Sequence, residues 1–152
     1  MVRKVEDITQ KSLICQEVLD ALPDWFGIPE SVAEYVKNSS LLPMWMDIKG
    51  GDVRGFIVLR ETSPYAAEIY VMGVKKEYHR QGVGRALFEA LYEAAKVHGY
   101  RFLHVKTVQE GHYADYDQTN AFYKGVGFVE LECLADYWDE ANPCQIYVMP
   151  VL

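Results

Sequence analysis

The sequence predicts a mixed α/β fold, and three stretches carry that reading. YAAEIYVMGV (65–74) is a long run rich in β-branched, aromatic and apolar residues, as in a central strand. From Val83 to Val97 apolar residues recur at helical spacing, and RFLHVKTV (101–108) then reads as a strand of the buried kind. Strand, helix and strand in that order make a βαβ unit, whose two strands should be parallel neighbours. LLPMWMDIK and VRGFIVLRE flank Gly50-Gly51-Asp52, the signature of a tight hairpin.

Each element follows in order. Residues 2–8 alternate and read as a short first strand. Thr9 is placed to cap a helix over 10–22, with Leu13, Ile14, Cys15, Val18, Leu19 and Leu22 on one face. LPDWFGIPE is a turn rich in Pro and Gly, and Pro29 suits the first turn of a short helix over 30–38. The hairpin strands, strand 65–74, helix 83–97 and strand 101–108 come next. DQTNAFYKGVGF reads as a helix over 117–124, ended by Gly125 and Gly127. Strands near 128–135 and 144–151 complete the order β-α-α-β-β-β-α-β-α-β-β.

The 152 residues suit one domain over 1–152. A formal charge of −7 argues against a nucleic-acid or membrane-surface binder, which needs a basic face. It leaves room for a local basic pocket and favours cationic partners. Cys15, Cys133 and Cys144 are odd in number and widely spaced, with no CxxC pair. That pattern fits buried thiols in a reduced, cytoplasmic protein better than disulfides or a zinc site. The first residues show no continuous apolar stretch of signal-peptide kind. No run approaches the roughly 18 apolar residues of a membrane span.

Gly82 and Gly84 stand where the helix after strand 65–74 should begin, although glycine is about 1 kcal/mol poorer than alanine in a helix. A helix start exposes unpaired N–H groups, and with the macrodipole these form an anion site. Glycines there let phosphate oxygens reach the N–H groups of residues 80–85, with Arg80 and Arg85 adding charge. Tight packing of a strand-to-helix turn is the competing explanation. Leu87 occupies the place where a dinucleotide fingerprint needs its third small residue, and no Gly-Lys-Ser/Thr follows for a P-loop.

VKKEYHRQGVGRALFEAL strongly resembles the phosphate-binding motif of the GCN5-related N-acetyltransferase (GNAT) superfamily: a strand ending in valine, then (Arg/Gln)-x-x-Gly-x-Gly/Ala opening a helix. Val74 ends the strand, and Gly82-Val83-Gly84 fill the small positions. His79 stands in the usual Arg/Gln slot, followed by Arg80 and Gln81. TNAFYKGVGFVELE resembles the family's late helix and strand, with Tyr123 four residues before Gly127-Phe128. Tyr116 occupies the slot where the family's asparagine usually sits, and Asn120 is out of register. The resemblance covers about residues 53–131.

The resemblance implies a central, mostly antiparallel sheet with a splayed parallel pair and flanking helices. It implies acetyl-CoA as cosubstrate, no metal, and a small-molecule or peptide amine as acceptor. The coenzyme would be bound by Met72, Gly73, Val74, His79, Arg80, Gln81, Gly82, Val83, Gly84 and Arg85. The N–H of Met72 or Gly73 would stabilise the oxyanion of acyl transfer. Tyr123 is the candidate general acid for the leaving thiolate, against a core tyrosine as the alternative. Glu68, in the slot of the base in the histone acetyltransferase branch, is the candidate base. Its alternative is a carboxylate paired across the strands or facing water. Tyr70 should share its face. Loops 22–27, 112–115 and 136–144 are expected to shape the acceptor site, with Trp25, Trp45 and Trp138 as an aromatic wall. No cysteine carries a motif for an acyl carrier, so direct attack in a ternary complex is favoured. A homodimer is an expectation from the family. The competing function is an acyl-CoA-binding regulatory module with little transferase activity.

Overall fold

The hairpin turn at Gly50-Gly51 has both glycines at positive φ (59° and 83°), the arrangement whose twist matches paired strands. It joins β2 (Met44–Lys49) to β3 (Asp52–Ser63), and β3 pairs antiparallel with β4 (Ala66–Val74). The computed structural model describes all residues from Met1 to Leu152. The first strand, β1 (Val2–Val5), is shorter than the alternation suggested and lies along β2. The chain ends with β5 (Phe102–Val108), β6 (Val129–Asp139) and β7 (Asn142–Pro150). Seven strands form one sheet in the order β1-β2-β3-β4-β5-β7-β6. Only β4 and β5 are parallel, as the βαβ reading requires.

Four helices flank the sheet. α1 (Ile8–Asp20) is capped by Asp7, not Thr9: the Asp7 carboxylate accepts from Gln10 N–H at 2.8 Å, while its own backbone is still extended. α2 (Pro29–Ser39) begins with proline at its first turn. α3 (Val83–His98) is the crossover helix. α4 (Ala114–Val126) starts earlier than expected and continues through Gly125; Gly127, at φ 119°, ends it in left-handed backbone.

Two apolar cores result, one on each side of the sheet. One joins α3, through Leu87, Phe88 and Leu91, to Ile57, Ile69, Leu103 and Tyr147. The other joins α1 and α2 to β1–β4, through Val18, Leu19 and Val32 against Phe56, Val58 and Val71. This second layer stops at β4. On the same sheet face, β5, β7 and β6 have no helix above them: Phe102 is exposed, Ile146 and Val148 are half-exposed, and Val129 is exposed.

One bulge matters for the site. Val58 opposes Val71 and Leu59 opposes Ile69, so Tyr70 is an extra residue in β4. The bulge puts Glu68, Tyr70 and Val71 on the α1/α2 side and swings Met72 and Val74 toward α3. Gly73 is not the bulge. A Cβ there would lie 3.0 Å from Leu22 Cδ1 and 3.1 Å from Val18 Cγ1, so the glycine lets α1 pack close against β4.

Candidate active site

β4 and β5 pair only at Ala66–Phe102, Ala67–Leu103 and Glu68–His104, then part. Beyond Glu68 the β5-facing edge of β4 is open. Lys75 N–H donates to Arg54 O at 2.9 Å, so Arg54 and Lys75 form a hydrogen-bonded pair. Bonded and non-bonded pairs alternate along an antiparallel ladder. Gly73 therefore bonds toward β3, whereas the N–H and C=O groups of Met72 and Val74 point into the gap.

The gap leads to the turn before α3. Arg80 (φ 62°) and Gly82 (φ 80°) both adopt left-handed backbone, which turns successive N–H groups to one side. None of the backbone N–H groups from Arg80 to Arg85 has a protein acceptor; Ala86 is the first to donate, to Gly82 O at 3.0 Å. A Cβ at Gly82 would meet nothing within 4 Å, so this residue leaves the approach open. At Gly84 a Cβ would come 3.1 Å from Phe122 Cε1, so this glycine admits α4 against the start of α3. The two glycines thus divide the explanations between them: Gly82 serves the turn and Gly84 the packing.

His79 fixes the turn onto the strand. Its Nε2 donates to Val74 O at 2.6 Å, and its ring meets Trp25 edge-on at 5.9 Å. Arg85 donates to Gly125 O at 3.2 Å, linking α3 to α4. Together these elements enclose a cleft of about 660 Å³. Its walls are Met72–Val74, Tyr78–Arg80 and Gly82–Arg85 of the turn, Trp25 and Phe26 from the α1–α2 link, and Phe122 and Tyr123 of α4. The walls are mainly apolar and the turn with its unpaired N–H groups lies at one end, a shape that suits a long molecule with a phosphate-rich end.

Tyr123 is 6 % exposed and packs its ring on Phe128 and Tyr147. Its hydroxyl has no partner in the protein, yet no buried side-chain polar atom is left unsatisfied. The hydroxyl is therefore open to the cleft that Tyr123 lines. Burial pushes its pKa well above the usual phenol value, and the nearby Tyr35 and Tyr116 add to the effect. It keeps its proton at any ordinary pH.

These features match a known family. Residues 42–130 fit the acetyltransferase (GNAT) domain. The chain belongs to the GNAT family. An uncharacterised N-acetyltransferase of Bacillus subtilis, YsnE, is 27 % identical over 145 residues, covering 91 % of this chain and 93 % of that protein. A GNAT-family acetyltransferase structure from Desulfovibrio desulfuricans superposes over the full length of both chains with a TM-score of 0.84 at 19 % identity. A GNAT structure from Elizabethkingia anophelis with acetyl-CoA bound gives a TM-score of 0.69 at 17 % identity, over 86 % of this chain and 88 % of that one. The protein is accordingly an acyltransferase.

In this GNAT chain, ten of the twelve residues singled out in the sequence come together along the cleft: Met72–Val74, His79, Arg80, Gly82–Arg85 and Tyr123. Gln81 does not join them; its side chain donates to Glu77 O at 3.0 Å. Glu68 also lies off the cleft walls, buried and held by two side chains with a third nearby. Arg60 pairs with its Oε1, Lys106 donates to Oε2 at 3.1 Å, and His104 Nδ1 stands 3.9 Å away. Tyr70 shares that face, with the Arg60 guanidinium 5.1 Å above its ring.

The expected aromatic wall does not form. Trp25 reaches the cleft, Trp45 is buried in the α3-side core, and Trp138 is exposed on the β6–β7 hairpin. The three loops expected to shape the acceptor site do contribute to one hollow. A hollow of about 290 Å³ beyond Trp25 is lined by Asp24, Tyr113, Asp115, Tyr116 and Asn142. Cys15 and Cys144 are buried, and burial raises each thiol to about 11; Cys133 is exposed on β6, against expectation, because β6 is an uncovered edge.

Sequence reasoning missed Asn120 as a clamp. It is buried and donates to Val108 O at 2.9 Å and Tyr116 O at 2.7 Å, while Tyr147 donates to its Oδ1 at 2.5 Å. This holds α4, and so Tyr123, against the end of β5. Arg60 and Lys106 were also missed, because nothing in their local sequence marks them; only the pairing of β3, β4 and β5 gathers them around Glu68.

Proposed function

We propose that this protein transfers the acetyl group of acetyl-CoA to the primary amine of a small molecule or peptide, in one domain and by direct attack in a ternary complex. The observation that carries the reading is the unpartnered Tyr123 hydroxyl, in a cleft that runs to six unpaired backbone N–H groups at residues 80–85. Acetyl-CoA supplies the activated acyl group and a thiolate leaving group. The free N–H groups of 80–85, with Arg80 and Arg85, hold the phosphates. Met72 lends its outward-facing N–H and C=O, and Val74 its N–H, to the pantetheine arm, as a strand edge binds an extended chain, while His79 holds the Val74 carbonyl.

The amine nitrogen forms a bond to the acetyl carbon as the carbon–sulfur bond breaks. Met72 N–H donates to the carbonyl oxygen as negative charge builds there. Tyr123 gives its proton to the departing sulfur. The proton lost by the amine moves through water toward Glu68, whose oxygens are already engaged by Arg60 and Lys106. The raised thiol pKa values of Cys15 and Cys144 support direct attack over an acyl-cysteine route.

The test is thiol release from acetyl-CoA across amino acids, polyamines, aminoglycosides and lysine peptides, with thermal shift by the coenzyme beside it. At about 100 times Kd, binding stabilises the fold by about 2.7 kcal/mol. Thiol release with an amine acceptor is the expected result. A thermal shift without release from any acceptor favours the regulatory module instead. No shift at all removes the coenzyme from the cleft.

A further inference from the structure

The charges around Glu68 do not balance. Two permanent cations, Arg60 on β3 and Lys106 on β5, converge on one buried carboxylate, with His104 as a third neighbour. This leaves one surplus positive charge in a chain whose net charge is −7. Arg60 uses one nitrogen on Glu68, and Lys106 one of its three donors; neither makes another hydrogen bond in the protein. Glu68 is 5 % exposed, whereas Arg60 is 44 % and Lys106 25 % exposed, so the surplus charge faces outward.

It faces the half of the sheet that α1 and α2 leave uncovered. Leu103 and Val105 belong to the α3-side core, so His104 and Lys106 project from the other face. There Lys106 pairs across to Ile146 and His104 to Val148, both half-exposed and apolar. Lys106 also lies just past the point where β4 and β5 part, so the two faces communicate there through the gap. The result is a +/−/+ array of Arg60, Glu68 and Lys106 beside the apolar Ile146 and Val148, with Glu132 of β6 paired to Ile146 on its far side.

We propose that this array recognises the acceptor as an α-amino acid with an apolar side chain. Its free carboxylate is held by Lys106 and Arg60, its amine lies on the Glu68 side, and its side chain rests on Ile146 and Val148. The proposal rests on the transferase reading and narrows its acceptor. Arg60 suits the task, since a guanidinium offers several donors in a planar fork that matches a carboxylate.

The experiment measures binding of N-acetyl-phenylalanine, the product form, and of N-acetyl-phenethylamine, which lacks the carboxylate. Both are titrated by calorimetry into the full chain, with and without coenzyme A. Lys106→Met, Lys106→Arg and Arg60→Gln are run in parallel, and retention of the coenzyme thermal shift shows that each variant is folded. We expect the carboxylate-bearing probe to bind at least tenfold more tightly. That preference disappears in Lys106→Met, weakens in Arg60→Gln and is restored in Lys106→Arg. Equal affinity for the two probes, no binding of either, or an unchanged preference in Lys106→Met overturns the proposal. The coenzyme shift reads the transferase hypothesis separately: if it persists while the preference is absent, only the acceptor assignment fails.

Discussion

Tyr123 combines two properties that usually exclude each other: near-complete burial and a hydroxyl with no protein partner. A buried phenol ordinarily finds an acceptor. Here Asn120 and Tyr147 satisfy one another beside it and leave Tyr123 free. Tyr123→Phe removes only the oxygen and keeps the ring packing on Phe128 and Tyr147. Steady-state kinetics should show kcat reduced about 10²- to 10⁴-fold, as for loss of a general acid, with the coenzyme thermal shift unchanged. Glu68→Gln is expected to act differently. It leaves Arg60 and Lys106 without their counter-charge, so it should lower the melting temperature as well as turnover. Tyr123 was legible in the sequence because its spacing to Gly127-Phe128 is local. The company kept by Glu68 was not, because Arg60, His104 and Lys106 reach it only through strand register.

Among the elements, glycines record where backbone meets backbone. At Gly55 a Cβ would lie 2.7 Å from Gly73 O, and main chain cannot step aside. Gly55→Ala should therefore destabilise by about 1–3 kcal/mol, as overpacking does. Gly125 is the opposite case. It sits within α4, exposed, with nothing within 4 Å of where a Cβ would lie and no positive φ. Gly125→Ala should stabilise by about 0.4–1 kcal/mol by restricting the unfolded chain. Chemical denaturation of the two variants checks both signs. The same contrast explains why element types were readable and boundaries were not. The α3 stripe of Val83, Leu87 and Leu91 is periodic and unambiguous. Gly125 looked like a helix end because glycine commonly is one, but Gly127 holds the left-handed backbone that stops the helix. The bulge at Tyr70 leaves no mark in an otherwise continuous apolar strand.

The whole molecule carries much of its aromatic content as protonated phenols under cover. Tyr35 and Tyr100 are raised to about 12, chiefly by burial. Tyr70, Tyr116, Tyr123 and Tyr147 are raised too, each first by burial. In the unfolded chain these phenols ionise near ~10. Their contribution to stability is therefore complete below that pH and is lost as pH rises through the folded values. The covered tyrosines should ionise together, their tyrosinate absorbance rising with loss of circular dichroism. Gradual titration of all of them in a fold that stays intact would contradict the burial described above.

At the same scale, the parted strands bear on kinetics. Past Glu68 the sheet has a missing rung, and the turn at 80–85 holds donors with nothing to receive them. Whatever lies along Met72 and Val74 becomes a wall of the space next to it. A binding site whose wall is itself a reactant is not fully assembled until that reactant arrives. The catalytic cycle should therefore have a compulsory sequence, coenzyme first and acceptor second, with coenzyme the last to leave. Product inhibition tests this: free coenzyme A should compete with acetyl-CoA, and the acetylated product should not.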